Sequence, residues 1–230
     1  MSQSEHEYFR IRQEKAEALR SKGLDPYPAR FNRTHTSLQA LAFFEEREES
    51  HADDLIEISV GGRVMARRGM GKATFLDISD ADGDLQVMLR GNALGEKYEL
   101  LSYLDIGDWL GVKGSLFRTR TGQITLQASE FQIICKALRP LPEKWHGLTD
   151  VETRFRQKYL DLIANEDAAK AARSRSLLVS TMRNFMESKG FIEVETPILV
   201  PIAAGGMAHP FTTHHNALNR TLYLRIATEL

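Results

Sequence analysis

A single cysteine, Cys135, occurs in 230 residues. One thiol allows no intramolecular disulfide and no cysteine-rich zinc site. Cys135 sits in the apolar run FQIIC, which reads it as a small core residue and not a nucleophile. No apolar run approaches the roughly 20 residues of a membrane-spanning helix, and the amino-terminal segment is charged, without an apolar signal core. A cytoplasmic protein with no membrane partner is expected. Charge of one sign is missing as well: 30 Lys and Arg stand against 31 Asp and Glu, for a net charge of −1. That excludes a chain that binds polyanions over its whole surface, so any nucleic-acid contact must come from a local patch. Two familiar loops also fail. RRGMGKATF, residues 67–75, contains Gly71-Lys72, but Ala66 occupies the first-glycine position of a phosphate loop and Ala73 its Ser/Thr position. DADGD, residues 80–84, has its glycine misplaced for a calcium loop, and Gly91 stands where the closing glutamate belongs. No metal site is expected within this chain.

A local basic patch is present nonetheless. Residues 61–75 carry Arg63, Arg67, Arg68 and Lys72 with no acid among them. Taken alone, such a patch reads as a solvated loop rather than a polyanion contact. The surrounding pattern decides more. Before it, EHEYFRIRQEKAEALRSKGLDPYP reads as a charged helix with a weak apolar stripe of Tyr8, Ile11 or Arg12, and Leu19. Gly23 stops it and two prolines follow. Such a helix needs a partner to be stable.

Residues 55–138 alternate in strand fashion. IEISVGGRVMARR has a glycine pair that permits a bulge. KATFLDISD and LQVMLRG flank a hairpin turn at Asp82-Gly83. ALGEKYELLSYL is a short helix, and DWLGVKGSLFRT and QITLQASEFQIICKAL are two further strands about Thr121-Gly122. Three strands, a helix and two strands is the order of an OB-fold, a five-stranded Greek-key barrel that binds single-stranded nucleic acid on its strand face. Along KATFLDIS, Phe75 shares parity with Asp77, while Leu76 shares it with Ile78. That puts Phe75 on the polar face, where an aromatic ring is better explained as a stacking platform than as core.

Residues 137–148, ALRPLPEKWHGL, form an irregular proline-bearing linker. DVETRFRQKYLDLIAN then opens a helix with Asp150 as its N-cap. Residues 167–189 make a longer helix with Leu178, Met182, Phe185 and Met186 on one face. Gly190 ends it and FIEVETP reads as a strand closed by Pro197. The adjacent His214 and His215 would point to opposite faces of a strand and read as structural residues.

KGFIEVETPIL resembles motif 1 of class II aminoacyl-tRNA synthetases, a long helix, a Gly-aromatic step and a strand with a fixed proline. RQEKAEALRSKGLDPYP, MGKATFLDISD, KALRPLPEKWHGLTDVETRFRQKYLDL, THHNAL and YLRIATEL resemble, in order, stretches of the bacterial-type lysyl-tRNA synthetases over almost the whole chain. Aspartyl- and asparaginyl-tRNA synthetases share the architecture but usually not the linker or the HHNAL run, and stand second. The resemblance implies an α+β fold with an all-β amino-terminal module. It divides the chain into a helical extension (1–50), an OB-fold anticodon-binding domain (51–138), a linker (139–149) and the start of an antiparallel catalytic domain (150–230). It implies that Phe75 stacks on an anticodon base of the lysine tRNA, that Gln86 bonds a base edge, and that Arg67 and Arg68 contact bases or phosphates. Gln123 stands where many relatives carry Glu; it keeps a carbonyl acceptor but loses the charge.

The same resemblance places Gly205 and Glu229 at the lysine pocket, and Gly190, Phe191 and Pro197 at a homodimer interface. In AAGGMAHPF, His209 replaces a usual Arg or Lys, and the glycine spacing is shifted. A complete enzyme of this kind joins L-lysine to tRNA with ATP and Mg2+. Motifs 2 and 3 and the magnesium carboxylates do not occur in these 230 residues. No catalytic residue is therefore assigned, and the chain alone is expected to be inactive. The alternative is a non-catalytic RNA-binding module. The region after about residue 165 is expected to be poorly supported, because the sheet partners that would bury it are missing.

Overall fold

Alternation from Glu57 to Cys135 builds a closed core. In the computed structural model, which describes residues 3–50, 56–142, 148–203 and 205–228, five strands run β1 (Glu57–Met70), β2 (Ala73–Ser79), β3 (Asp84–Arg90), β4 (Trp109–Arg118) and β5 (Ile124–Cys135). They close in the order β1-β2-β3-β5-β4 and back to β1. Every pairing is antiparallel except β3 with β5. This is the Greek-key barrel of an OB-fold. The inward residues, among them Val60, Val64, Leu76, Ile78, Val87 and Leu126, have no exposed surface. Burying each such side chain contributes roughly 1.5–3 kcal/mol. Closure leaves no strand edge to recruit another chain.

Two helices precede the barrel, α1 (Gln3–Ser21) and α2 (Ser37–Glu49), and a short α3 (Gly91–Leu94) runs into a 3₁₀ turn, Gly95–Tyr103. α1 docks mainly through charge. Tyr8 and Ile11, counted in the weak stripe, are exposed, whereas Ala16, Leu19 and Arg12 are buried. Arg12 donates to the carbonyls of Ile106 (3.1 Å), Ala137 (2.8 Å) and Arg139 (3.3 Å). Lys15 pairs with Asp105 at 2.5 Å. α2 has no counterpart among the expected elements, yet its signal is plain in T-S-L-Q. Thr36 accepts from the Gln39 amide, and the Gln39 side chain accepts from the Thr36 amide, a capping box. Between the helices Phe31 lies across Gly111, where an added Cβ would come within 2.4 Å of its ring.

The reading of Cys135 is corrected: it is exposed. The β4–β5 register slips between Trp109 and Leu110, so that Leu110 faces Ile133 and Trp109 faces Cys135. One extra residue inverts the parity of the strand end. Cys135 turns out, and Lys136 turns in with a fully buried side chain, held by Asp105, Asp108 and the Tyr103 carbonyl. The turn at Asp82-Gly83 is wider than a two-residue hairpin. Ser79 faces Asp84, and Asp80 accepts from the amides of Asp82 and Gly83 as well as Ser37.

The chain divides into two compact units, Met1–Val151 and Glu152–Leu230. The second contains α4 (Val151–Arg156, its first residue belonging to the first unit), α5 (Lys158–Ala164), α6 (Glu166–Ser188) and the strands β6 (Leu199–Val200), β7 (Thr212–His215) and β8 (Arg220–Leu224). The single helix expected over 150–165 is broken at Gln157. Asp161 collects Arg154 (2.8 Å), Lys158 (2.5 Å) and Asn165 (2.6 Å), joining the pieces. These donors, Lys158 foremost, hold its carboxyl well below the usual carboxylate range. The strand expected over 191–197 does not form: no ladder partner exists for it among the described residues. Leu222 is the one buried apolar side chain among the described residues of this unit.

Candidate nucleic-acid interface

Register defines one outward face on the barrel. Because successive strand residues alternate sides, the buried Leu76, Ile78, Val87 and Leu126 force their neighbours outward. Two rows result. In the first, Arg68 faces Phe75, Phe75 faces Met88, and Met88 faces Gln127. In the second, Asp77 faces Gln86, Gln86 faces Thr125, and Thr125 faces Phe117. Met88 and Thr125 are buried in the floor of this face. Phe75, Asp77 and Gln86 are half-buried, and Arg68 is exposed. Phe75 therefore offers part of a ring to the outside, beside a guanidinium and an amide.

The polar groups here are ordered. Arg68 grips Asp77 with two hydrogen bonds of 2.8 Å each. The Thr125 hydroxyl donates to Oε1 of Gln86 at 2.9 Å. Gln123 is exposed on the β4–β5 turn, where its backbone pairs with Thr119 and Gly122 has φ +86°. Arg118 of the same hairpin is tied to Glu48 and lies over the ring of Phe44, so part of its charge is neutralised. Arg67 is not brought into the rows with Phe75. It faces Leu76, and its Nη1 donates to the carbonyls of Leu101 (2.8 Å) and Leu104 (3.1 Å), capping the 3₁₀ turn. Lys72 is exposed at the β1–β2 turn, where Gly71 has φ +61°.

The remaining sequence-derived residues lie in the second unit. Gly190 ends α6 with φ +84°, and Phe191 and Pro197 are exposed beyond it. Phe191 lines an apolar groove of about 330 Å³ with Val179, Met182 and Met186, bordered by the Arg183–Glu193 ion pair. Gly205 has φ +104°, and a Cβ there would come within 2.7 Å of the Ala227 side chain, so no other residue fits. Glu229 lies outside the described residues. His215 accepts from the Leu218 amide through Nδ1. Among the described residues no group of three His, Cys, Asp or Glu side chains is placed to hold a metal, and no helix is long and apolar enough to cross a membrane.

Comparison with known proteins fits both halves. Residues 58–134 match the OB-fold nucleic acid binding domain of the anticodon type, and residues 150–230 match the class II tRNA synthetases (D, K and N). The chain is 52% identical over 226 residues to the lysine–tRNA ligase of Pelotomaculum thermopropionicum, covering 98% of this chain and 44% of that protein. It is 52% identical over 220 residues to that of Dehalococcoides mccartyi, covering 94% and 44%. Against the Bacillus subtilis lysine–tRNA ligase it is 42% identical over 238 residues, covering 100% and 48%. The chain is thus similar to lysine–tRNA ligases along nearly its whole length. It spans about half the length of the curated relatives it matches.

The barrel spans the stretch that matches the OB-fold nucleic acid binding domain. The register brings Phe75, Gln86 and Arg68 onto its outward rows; sequence reasoning had set Asp77 on the face of Phe75 but did not single out Met88, Thr125 or Phe117. Their signal was available: in LQVML and ITLQA the same parity that exposes Gln86 also selects Met88, Thr125 and Gln127. What a single strand could not reveal is which residues of neighbouring strands face one another, because that depends on register.

Proposed function

We propose that this chain supplies the tRNA-reading part, and the beginning of the aminoacylating part, of an enzyme that joins L-lysine to its tRNA. The observation that carries this reading is the half-exposed ring of Phe75 on the outward rows, flanked by Arg68 and by Gln86. An unpaired anticodon base stacks on Phe75. The Gln86 amide bonds the edge of a base. Arg68, exposed and cationic, meets phosphate or a base edge. Splayed single-stranded bases are recognised by this combination of stacking and edge hydrogen bonds. Gln123 adds an uncharged polar contact at the rim. Arg67 acts at one remove, by fixing the turn behind β1.

The second unit extends the proposal. Gly205 and Glu229 belong to the lysine pocket, with Gly205 supporting it through the close approach to Ala227 that only glycine permits. Gly190, Phe191 and Pro197 belong to an interface with a second copy, which would cover the groove beside α6. ATP and Mg2+ serve the complete enzyme in the cytoplasm, where lysine is activated before its transfer to tRNA. No step of adenylate formation is assigned to the described residues.

The test is binding of the chain to a lysine-tRNA anticodon stem-loop at fixed, near-physiological salt, followed by fluorescence anisotropy. Phe75→Ala removes a stacking contact of about 1–3 kcal/mol and weakens binding roughly 5- to 150-fold. A changed anticodon weakens it as well. Binding that is indifferent to both changes would leave a generic single-strand binder and overturn the reading.

A further inference from the structure

Gln86 is held at one end only. Its Oε1 accepts from the hydroxyl of Thr125 at 2.9 Å, and Thr125 is fully buried. The hydroxyl has a second acceptor in reach, the Gln123 carbonyl, at 3.4 Å. The nearer acceptor takes the single proton. With Oε1 engaged, the amide presents Nε2 and its two N–H donors as the free end. An acceptor on the neighbouring strand does stand opposite: Asp77 faces Gln86 across the β2–β3 ladder. Both Asp77 oxygens, however, are engaged by the two amino nitrogens of Arg68. Among the described residues the Gln86 side chain is hydrogen-bonded through Oε1 alone, with no bond from Nε2 to that carboxylate. Gln86 is half-buried, in the row next to the Phe75 ring, with Nε2 left for an outside acceptor.

We propose that Thr125 is a specificity-determining positioning residue: by holding the Gln86 amide oxygen inward, it makes this part of the face a donor-only reader of the stacked base. The Arg68–Asp77 pair assists by holding the facing carboxylate on the guanidinium. Such a reader favours a base whose facing edge carries a carbonyl, as uracil does at O4, and rejects one that carries an amine, as cytosine does at N4. The proposal rests on the reading of this face as the place where unpaired bases bind. It adds the residue that sets the polarity of the hydrogen bond.

The experiment uses the whole chain and two RNA hairpins that differ only in one central loop base, U or C. Wild type binds the U loop about tenfold more tightly than the C loop. Thr125→Val keeps the side-chain shape but frees the amide to turn, so the U/C ratio falls towards one. Thr125→Ser restores the hydroxyl and the ratio. Gln86→Glu provides a second route. Its carboxylate offers only acceptors, so preference moves towards C, and this holds even if the valine variant folds poorly. A purely structural Thr125 would lower both affinities together and leave the ratio intact, which overturns the inference. A wild-type preference for C overturns it too, since the amide would then face the other way. Wild type that binds neither loop, or both equally, would instead overturn the base-reading assignment itself.

Discussion

Asp80 illustrates how one carboxylate can join segments that the sequence keeps apart. It accepts from the amides of Ser37, at the start of α2, and of Asp82 and Gly83, in the β2–β3 turn. Burial pushes its carboxyl up, but these backbone donors outweigh burial and hold it below its ordinary value. The folded protein therefore binds this proton less readily than the unfolded chain does. The resulting stabilisation is present above the unfolded value of about 3.9 and is lost as pH falls through the lower, folded value. Urea unfolding between neutral and acid pH should show Asp80→Ala less stable by about 2–3 kcal/mol at neutral pH. The gap to wild type should narrow in acid. A gap that stays constant to the lowest pH would show that Asp80 acts through packing and not through its charge. Single residues were also where sequence reasoning erred most. Asp82-Gly83 has the composition of a two-residue turn, yet it is Asp80, outside that pair, that organises the loop. Cys135 follows an inward pattern set by Phe131 and Ile133, and the register slip at Trp109 reverses it. A slip of one residue costs nothing in composition, so composition cannot report it.

The secondary-structure elements were legible to the extent that each signals its own presence. Five strands were found because apolar alternation is intrinsic to a strand buried on one face. The α2 helix was legible in its capping box but lay in a stretch without a strong apolar stripe. The strand expected at 191–197 has the right alternation and no ladder, since a strand exists only with a partner. α1 is the instructive case. Its apolar stripe is weak because much of its attachment is ionic. Arg12 reaches three carbonyls, and Lys15 joins the site where Lys136 is buried between Asp105 and Asp108. Burial pushes the Asp105 carboxyl up, and the two lysines more than offset it, leaving it below its usual value. Lys136→Met would leave Asp108 buried without its cation, at a cost of about 3–5 kcal/mol. Because Lys136 and Arg12 act on the same chain exit from β5, the loss should be felt in α1. Hydrogen exchange should show the amides of α1 opening sooner in Lys136→Met, with the β2–β3 amides protected longer. Equal acceleration everywhere would mean that α1 and the barrel melt as one body.

Across the whole molecule, burial is distributed very unevenly between the two units. The first has a continuous apolar core inside a closed barrel. The second, among its described residues, buries Leu222 and leaves Leu178, Met182, Phe185, Phe191 and Ile192 exposed. An apolar surface of that kind calls for an interaction partner. A second copy is the partner we propose, through the helix and groove that end at Gly190 and Phe191. The two functions then depend on different cores. Sedimentation should show the chain associating as its concentration rises, and Phe185→Glu together with Met182→Glu should shift it towards monomer. The same double variant should bind the anticodon stem-loop as well as wild type, because Phe75, Gln86 and Thr125 are held by strands whose pairing lies wholly within the first unit. A double variant that lost RNA binding along with association would mean that the anticodon face depends on the assembled pair. A chain that sediments as a monomer at every concentration would remove the second copy as the cover for this surface.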